Sequence, residues 1–198
     1  FRNPTIRELY MFRPANPDLL PERLWNYELS YSQRLFDQTF YYGVNLFYIN
    51  GDNMIQTIRT DGRPLNVNTG KIENWGAEAS IAYHIHPTWN LTANYSWLHM
   101  EHPLVAAPEH KLYAGIDYTK GKWNFSTGIQ YVAGLYTVVS PEEKKENFFL
   151  WNLRGNYRIC SIAGLFVKGE NLLAQRYEIN AGYPMPKATF MGGININF

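Results

Sequence analysis

Six pairs of aromatic residues stand eight positions apart: Phe40 and Tyr48, Trp75 and Tyr83, Trp89 and Trp97, Trp123 and Tyr131, Phe149 and Tyr157, and Phe190 and Phe198. Each pair brackets a stretch in which polar and apolar residues alternate. Between Trp89 and Trp97 one parity carries Leu91, Ala93 and Tyr95, and the other Asn90, Thr92, Asn94 and Ser96. Between Trp123 and Tyr131 the same split puts Phe125, Thr127 and Ile129 opposite Asn124, Ser126, Gly128 and Gln130. Period two is the mark of a strand with one apolar and one polar face. Eight residues of strand span roughly 26 Å at about 3.3 Å each. Tilted by about 40°, that is a rise of about 20 Å, close to the apolar band of about 25 Å between the aromatic girdles of a membrane-spanning barrel. A soluble sandwich alternates too, but has no reason to repeat one aromatic separation.

The pattern therefore predicts an all-β fold, an antiparallel transmembrane β-barrel with apolar residues toward lipid and polar residues toward the lumen. Nine strands are expected, with cores near 24–34, 39–50, 67–84, 89–100, 111–119, 123–135, 148–159, 164–173 and 188–198. Thr5–Met11 is the one further place where a strand fits. No stretch carries a convincing 3.6-residue period. Short links at Phe36-Asp37, His86-Pro87-Thr88, Lys120-Gly121-Lys122 and Cys160-Ser161-Ile162 alternate with long ones at 51–66, 101–110, 136–147 and 174–187. Barrels of this kind have short periplasmic turns and long extracellular loops. Residues 1–22, with prolines at 4, 14, 17 and 21, read as an extracellular loop segment, and 23–198 as the C-terminal barrel strands. The mean hydropathy of −0.36 does not oppose this, because a lumen face is polar and barrel strands are short. The formal net charge of +1 gives no pull toward nucleic acid, and the lone Cys160 has no partner for an internal disulfide. Bacterial single-chain barrels use even strand numbers. An odd count, in a chain that begins Phe1-Arg2, leads us to expect a fragment of a longer protein.

The last strand alternates to the end of the chain: Phe190, Gly192, Ile194, Ile196 and Phe198 on one parity, Met191, Gly193, Asn195 and Asn197 on the other. Met191, Gly193, Ile196 and Phe198 resemble the C-terminal signal of outer-membrane barrels. The resemblance implies that the barrel-assembly machinery reads them.

Four further stretches resemble the C-terminal half of the barrel of TonB-dependent outer-membrane receptors. They are Phe1-Arg2-Asn3-Pro4-Thr5-Ile6-Arg7-Glu8-Leu9-Tyr10; Asn16-Pro17-Asp18-Leu19-Leu20-Pro21-Glu22 with Tyr27-Glu28-Leu29; Asn68-Thr69-Gly70 running to Trp75-Gly76-Ala77-Glu78; and Gly169-Glu170-Asn171-Leu172-Leu173 through Tyr177 to Gly182-Tyr183-Pro184-Met185-Pro186. The resemblance implies a location in the bacterial outer membrane. It also implies a barrel of about 22 strands closed by an N-terminal plug that this chain lacks, and coupling to the TonB complex through that plug. The implied function is energy-driven uptake of a scarce, bulky nutrient, an iron–siderophore or cobalamin-like ligand. A smaller barrel serving as a passive pore or adhesin is the alternative. Arg154 and Arg158 share lumen parity with Asn152 and Asn156, and in a plugged receptor would face charges on the plug.

Ligand contacts are expected from extracellular loops on the rigid scaffold. Arginines and aromatics there suit an anionic or conjugated ligand, which nominates Arg2, Tyr10, Arg13, Asn53, Arg59, Arg63, Tyr136 and Tyr183. The spacing of His99, His102 and His110 matches no compact metal-ligand pattern, so neither metal nor cofactor is expected. Haem receptors of the family often carry a histidine in the interval that corresponds to Thr5–Ala15, and this chain has none there. Ser96 and His99 differ in parity and lack an acidic orienter, so no catalytic role is expected.

Overall fold

The computed structural model describes residues 1–60, 62–140 and 142–196, leaving aside the side chains of Arg59 and Thr60. One short helix, α1 (Ile6–Tyr10), precedes nine strands: β1 (Arg23–Leu35), β2 (Phe40–Thr60), β3 (Arg63–His86), β4 (Trp89–Met100), β5 (His110–Lys120), β6 (Trp123–Val138), β7 (Lys144–Arg158), β8 (Ala163–Glu170) and β9 (Thr189–Ile196). All nine lie in one sheet in chain order. From β4 to β9 every neighbouring pair is antiparallel, as strands joined by tight connections must be. Among the described residues no helix is long and apolar enough to cross a membrane.

The chain divides into two compact units. The first comprises Phe1–Leu29, Leu46–Gly76 and His99–His102; the second comprises Ser30–Asn45, Ala77–Leu98 and Pro103–Phe198. From β4 to β9 the register keeps the two faces apart. Trp89 lies opposite Tyr118, Tyr118 opposite Phe125, Phe125 opposite Gly155, Gly155 opposite Val167 and Val167 opposite Gly192. One position along, Asn90, Asp117, Ser126, Arg154 and Lys168 line up on the other face. Near the short turns the rings form a band. Trp89 and Tyr118 are 4.7 Å apart, Trp123 and Tyr157 4.5 Å, and Phe40 meets Tyr83 edge-on at 5.7 Å. Toward the other end Tyr131 lies opposite Phe149. Large apolar side chains such as Phe125, Trp151, Leu153, Leu165 and Ile194 stay exposed, and no large side chain among the described residues is fully buried. In water such a surface is an aggregation hazard; in a bilayer it is the solvated face.

A small core does form at the far ends of β6 and β7. Val132, Leu135 and Phe148 are buried there, with Tyr177 and Ile179 packed against them from the β8–β9 loop. Strict alternation would place Leu135 on the opposite face from Val132. A register shift between the two, at Gly134 with φ of 65°, resets the parity. An inserted residue in a bulge does this, and glycine accepts the left-handed conformation without a Cβ penalty.

Three expectations are corrected. The long link at 51–66 is absent as a loop: β2 continues to Thr60 and β3 begins at Arg63. Asp61-Gly62 is a strong hairpin-turn dipeptide, and strands that leave the bilayer can keep pairing in water. The link at 136–147 shrinks in the same way, with β6 reaching Val138 and β7 starting at Lys144. Thr5–Met11 is helical at its centre, because Thr5 and Glu8 form a capping box. The Glu8 N–H donates to Thr5 Oγ1 at 3.2 Å, and the Thr5 N–H donates to Glu8 Oε2 at 2.7 Å. At Gly70 the chain passes close to β2: a Cβ there would lie 2.7 Å from Met54 Cβ and 2.8 Å from its carbonyl oxygen.

The two faces make unequal demands. Leu153, exposed on the apolar face midway between Phe149 and Tyr157, should tolerate charge poorly. Leu153→Lys in the full-length protein is expected to cost about 2–4 kcal/mol in urea unfolding from vesicles. Ser126→Lys, on the polar face, should stay within about 0.5 kcal/mol. Equal costs would mean that the faces are assigned wrongly.

Candidate functional site

In the first unit, residues 1–22 are clasped at both ends. The Arg2 N–H donates to Glu22 O at 3.1 Å, and the Glu22 N–H donates to Arg2 O at 2.9 Å. The Arg2 guanidinium then bridges two acids. It donates to Glu22 Oε1 at 2.8 Å and to Glu8 Oε2 at 3.1 Å. Glu22 Oε1 also accepts the Ile55 N–H of β2 at 2.9 Å. Asparagines hold the middle. Asn16 Nδ2 donates to Asn66 O at 2.9 Å, and the Asn66 N–H to Pro14 O at 2.7 Å. Asn68 accepts from the Leu20 N–H at 2.7 Å and donates back to Leu20 O at 2.9 Å. Arg2, then the Thr5 N–H, holds the Glu8 carboxyl at about 2, well below its ordinary value of 4.5. Arg2 and the Ile55 N–H likewise hold Glu22 below the usual carboxylate range. Charge-assisted hydrogen bonds of this kind favour the ionised acid.

In the second unit the polar faces of the strands line a hollow of about 640 Å³, whose walls include Tyr41, Glu78, Asn94, Lys111, Tyr113 and Gln130. Tyr113 folds down over two glycines that face each other, Gly115 and Gly128. A Cβ on Gly128 would lie 2.9 Å from its ring. Glu78 accepts from Asn45 Nδ2 at 3.5 Å. Away from the hollow, the Tyr136 hydroxyl donates to Glu109 at 2.9 Å. Lys145 Nζ pairs with the same carboxylate at 2.7 Å and sits 4.4 Å from the centre of the Tyr136 ring. Lys145 is the leading cause of the lowered Glu109 pKa.

The eight nominated ligand residues fall in different settings. Six belong to the first unit and two, Tyr136 and Tyr183, to the second. The guanidinium of Arg2 is engaged in the clasp. Tyr10, at the end of α1, is 69% exposed, and Arg13 is exposed. Asn53, Arg59 and Arg63 lie in strands β2 and β3 rather than in a loop; the Arg59 side chain is outside the described residues. The Asn53 carbonyl accepts from Asn68 at 2.7 Å. Tyr136 is in β6 and only 6% exposed. Tyr183 stands 74% exposed at the tip of a loop fastened by a bridge between Glu178 and Pro184. Sequence reasoning passed over Arg7 and Phe12, which pair as cation and ring at 5.4 Å. The Thr5–Glu8 spacing was the available signal that this stretch is ordered.

Among the described residues, no group of three or more histidine, cysteine, aspartate or glutamate side chains is placed to hold a metal. His99 packs on Trp75 at 5.0 Å, and His110 meets the Tyr95 hydroxyl at 2.8 Å. Met191, Gly193 and Ile196 lie in β9, where Gly193 opposes Phe166; Phe198 lies outside the described residues.

Comparison with protein families matches residues 1–172 to the TonB-dependent receptor-like β-barrel. The chain belongs to this family. This TonB-dependent receptor barrel is thus a protein of the bacterial outer membrane, in a family of receptors and transporters. Solved structures share its fold. The copper transporter OprC superposes with a TM-score of 0.80 at 17% identity, covering 100% of this chain and 36% of its own. The ferric enterobactin receptor PfeA of Pseudomonas aeruginosa, in complex with enterobactin, gives 0.79 at 15%, covering 93% and 32%. The ferric-catecholate import receptor Fiu of E. coli gives 0.70 at 20%, covering 91% and 28%. The chain thus spans about a third of the length of these proteins. A search of curated protein sequences finds no significant match.

The clasp has a defined pH dependence. Glu8 and Glu22 both have folded-state pKa values below their ordinary 4.5. Their stabilisation is therefore complete above that value and is lost as pH falls toward about 2. Amide protection of residues 5–16 in the membrane-embedded receptor, corrected for intrinsic exchange, should be level between about pH 7 and 5 and decline toward pH 3. Glu8→Gln should flatten that decline; constant protection down to pH 2.5 would show that the clasp does not hold the segment.

Proposed function

We propose that this chain forms the last strands of a plugged barrel of about 22 strands that takes up a scarce, bulky, metal-bearing nutrient across the outer membrane. An iron–siderophore is the leading class of cargo and a cobalamin-like ligand the second. The observation that carries the reading is the family match over residues 1–172, set on a wall with an apolar outer face and a hollowed polar inner one. The proteins of similar fold include a copper transporter and two ferric-chelate receptors, which supports a metal-bearing cargo.

In this reading residues 1–22 and the links at 101–109, 139–143 and 171–188 face the outside, opposite the short turns. Tyr10, Arg13, Arg63 and Tyr183 offer contacts to the ligand, with Arg2, Asn53, Arg59 and Tyr136 as further candidates. Lys111, Glu78, Arg154 and Arg158 face the plug. Arg154 Nε donates to Asn156 at 3.3 Å, which aims the guanidinium along the polar face. Energy reaches the receptor through the TonB complex, and the wall itself catalyses nothing. Met191, Gly193, Ile196 and Phe198 serve as the signal for barrel assembly.

Deleting the gene of the full receptor should abolish uptake of one class of metal chelate under metal limitation and spare the others. Collapsing the proton-motive force in the parent strain should give the same loss. Uptake that survives the uncoupler would instead indicate a passive pore.

A further inference from the structure

At the short-turn end of β4–β7 the apolar face is not flat. A groove of about 300 Å³ runs among Trp89, Ile116, Tyr118, Phe125, Thr127 and Leu153, and its exposed lining is apolar. The register explains its course. Tyr118 lies opposite Phe125, and Ile116 opposite Thr127, which in turn lies opposite Leu153. Two residues of strand separate these levels, so the groove runs roughly 7 Å from the aromatic band toward mid-membrane. Rings stiffen its walls: Trp89 and Tyr118 are 4.7 Å apart, and Trp123 stacks on Phe125 at 5.4 Å. The Thr127 hydroxyl is already engaged, donating to Asn152 O at 3.0 Å and accepting from Trp151 Nε1 at 2.8 Å.

Two exposed lysines stand at the turn end of this groove. Lys120 pairs in register with Trp123 and shares the parity of Ile116 and Tyr118, which puts it on the lipid side about 7 Å beyond Tyr118. Lys122 precedes Trp123 in the turn. Its Nζ donates to Ile159 O at 2.9 Å, while Arg158 Nη2 donates to Gly121 O at 3.2 Å, so the two neighbouring turns brace each other. A carbonyl partner leaves the Lys122 charge uncompensated and its other ammonium donors open. Asp117, the nearest acid in the sequence, lies on the polar face opposite Ser126. Among the described residues neither lysine forms an ion pair.

We infer that this corner of the wall binds an anionic glycerophospholipid of the leaflet on the short-turn side, with its phosphate on Lys120 and Lys122 and one acyl chain laid in the groove. Such a site lies on the lipid side of the wall and is independent of the cargo the receptor takes. Lysine near the interface keeps its stem in hydrocarbon and its charge at headgroup level. Each such cation gives about a fivefold gain in affinity for anionic lipid. A zwitterionic phospholipid would fill the groove equally well but bring an amine to the two ammonium groups.

The test uses the full receptor in detergent micelles, titrated with phosphatidylglycerol or phosphatidylethanolamine and examined by native mass spectrometry. One phosphatidylglycerol should be retained in preference. Lys120→Gln and Lys122→Gln should each weaken its retention about fivefold. Ile116→Trp, which fills the groove, should weaken it with no change of charge. Lys168→Gln, whose lysine pairs with Glu170 at 2.6 Å on the polar side, should leave it unchanged. Heat-modifiable gel mobility reports whether each variant is folded, and Ile116→Phe is the smaller filling should the tryptophan fail. Equal retention of the two lipids, or wild-type retention in both lysine variants, would overturn the site and leave ordinary annular lipid. A preference for phosphatidylglycerol that survives groove filling would overturn the placing of the chain. Tighter retention of lipid A would put the ligand in the opposite leaflet and overturn the assignment.

Discussion

A backbone amide in hydrocarbon has no water to turn to. Each unpaired N–H or C=O at that depth costs several kcal/mol, so a chain that crosses the membrane as strands must give every strand a neighbour. The nine-strand order without crossovers meets that demand in the simplest way, since each strand pairs with the one just made. Everything else follows from this ladder. Period-two geometry sends alternate side chains to lipid and lumen, the aromatic rings gather where each strand meets the interface, and the connections are left free of the membrane's restrictions.

Much of that architecture was readable because lipid imposes a periodic demand on sequence. Trp123 and Tyr131, or Phe149 and Tyr157, are separated by a rise close to the height of the apolar band, a constraint that survives whatever the neighbouring residues do. Two kinds of feature were harder to read. Outside the bilayer the periodic demand lapses, so residues 51–66 read as a long link, although Asp61-Gly62 was a turn signal in the sequence. Inside a strand, a single inserted residue changes the face of all that follow. Counting parity from Tyr131 puts Leu135 toward lipid, yet the bulge at Gly134 turns it onto Val132 and Phe148. Tyr136 comes to rest against Glu109 and Lys145 for the same reason, and not in a loop. The ligand candidates were chosen by expected loop position and residue type. Type says what a side chain can do but not whether it is already occupied, and the guanidinium of Arg2 is occupied.

The inner face shows how a wall gains relief without losing its ladder. Tyr113 lies flat over Gly115 and Gly128, a ring covering backbone that has no side chain of its own. A flattened ring fills space beside the wall instead of across it. The polar hollow, with its serines, asparagines and one residue of each charge, owes its volume to small side chains and to rings that lie down.

The clasp between Arg2 and Glu22 closes a loop of chain at its base rather than along its length. The two ends meet through paired backbone groups and an ion pair, and the entry into β1 is set by that junction. Fastening the loop at its base fixes its two ends together, so that β1 starts from one defined point whatever lies between.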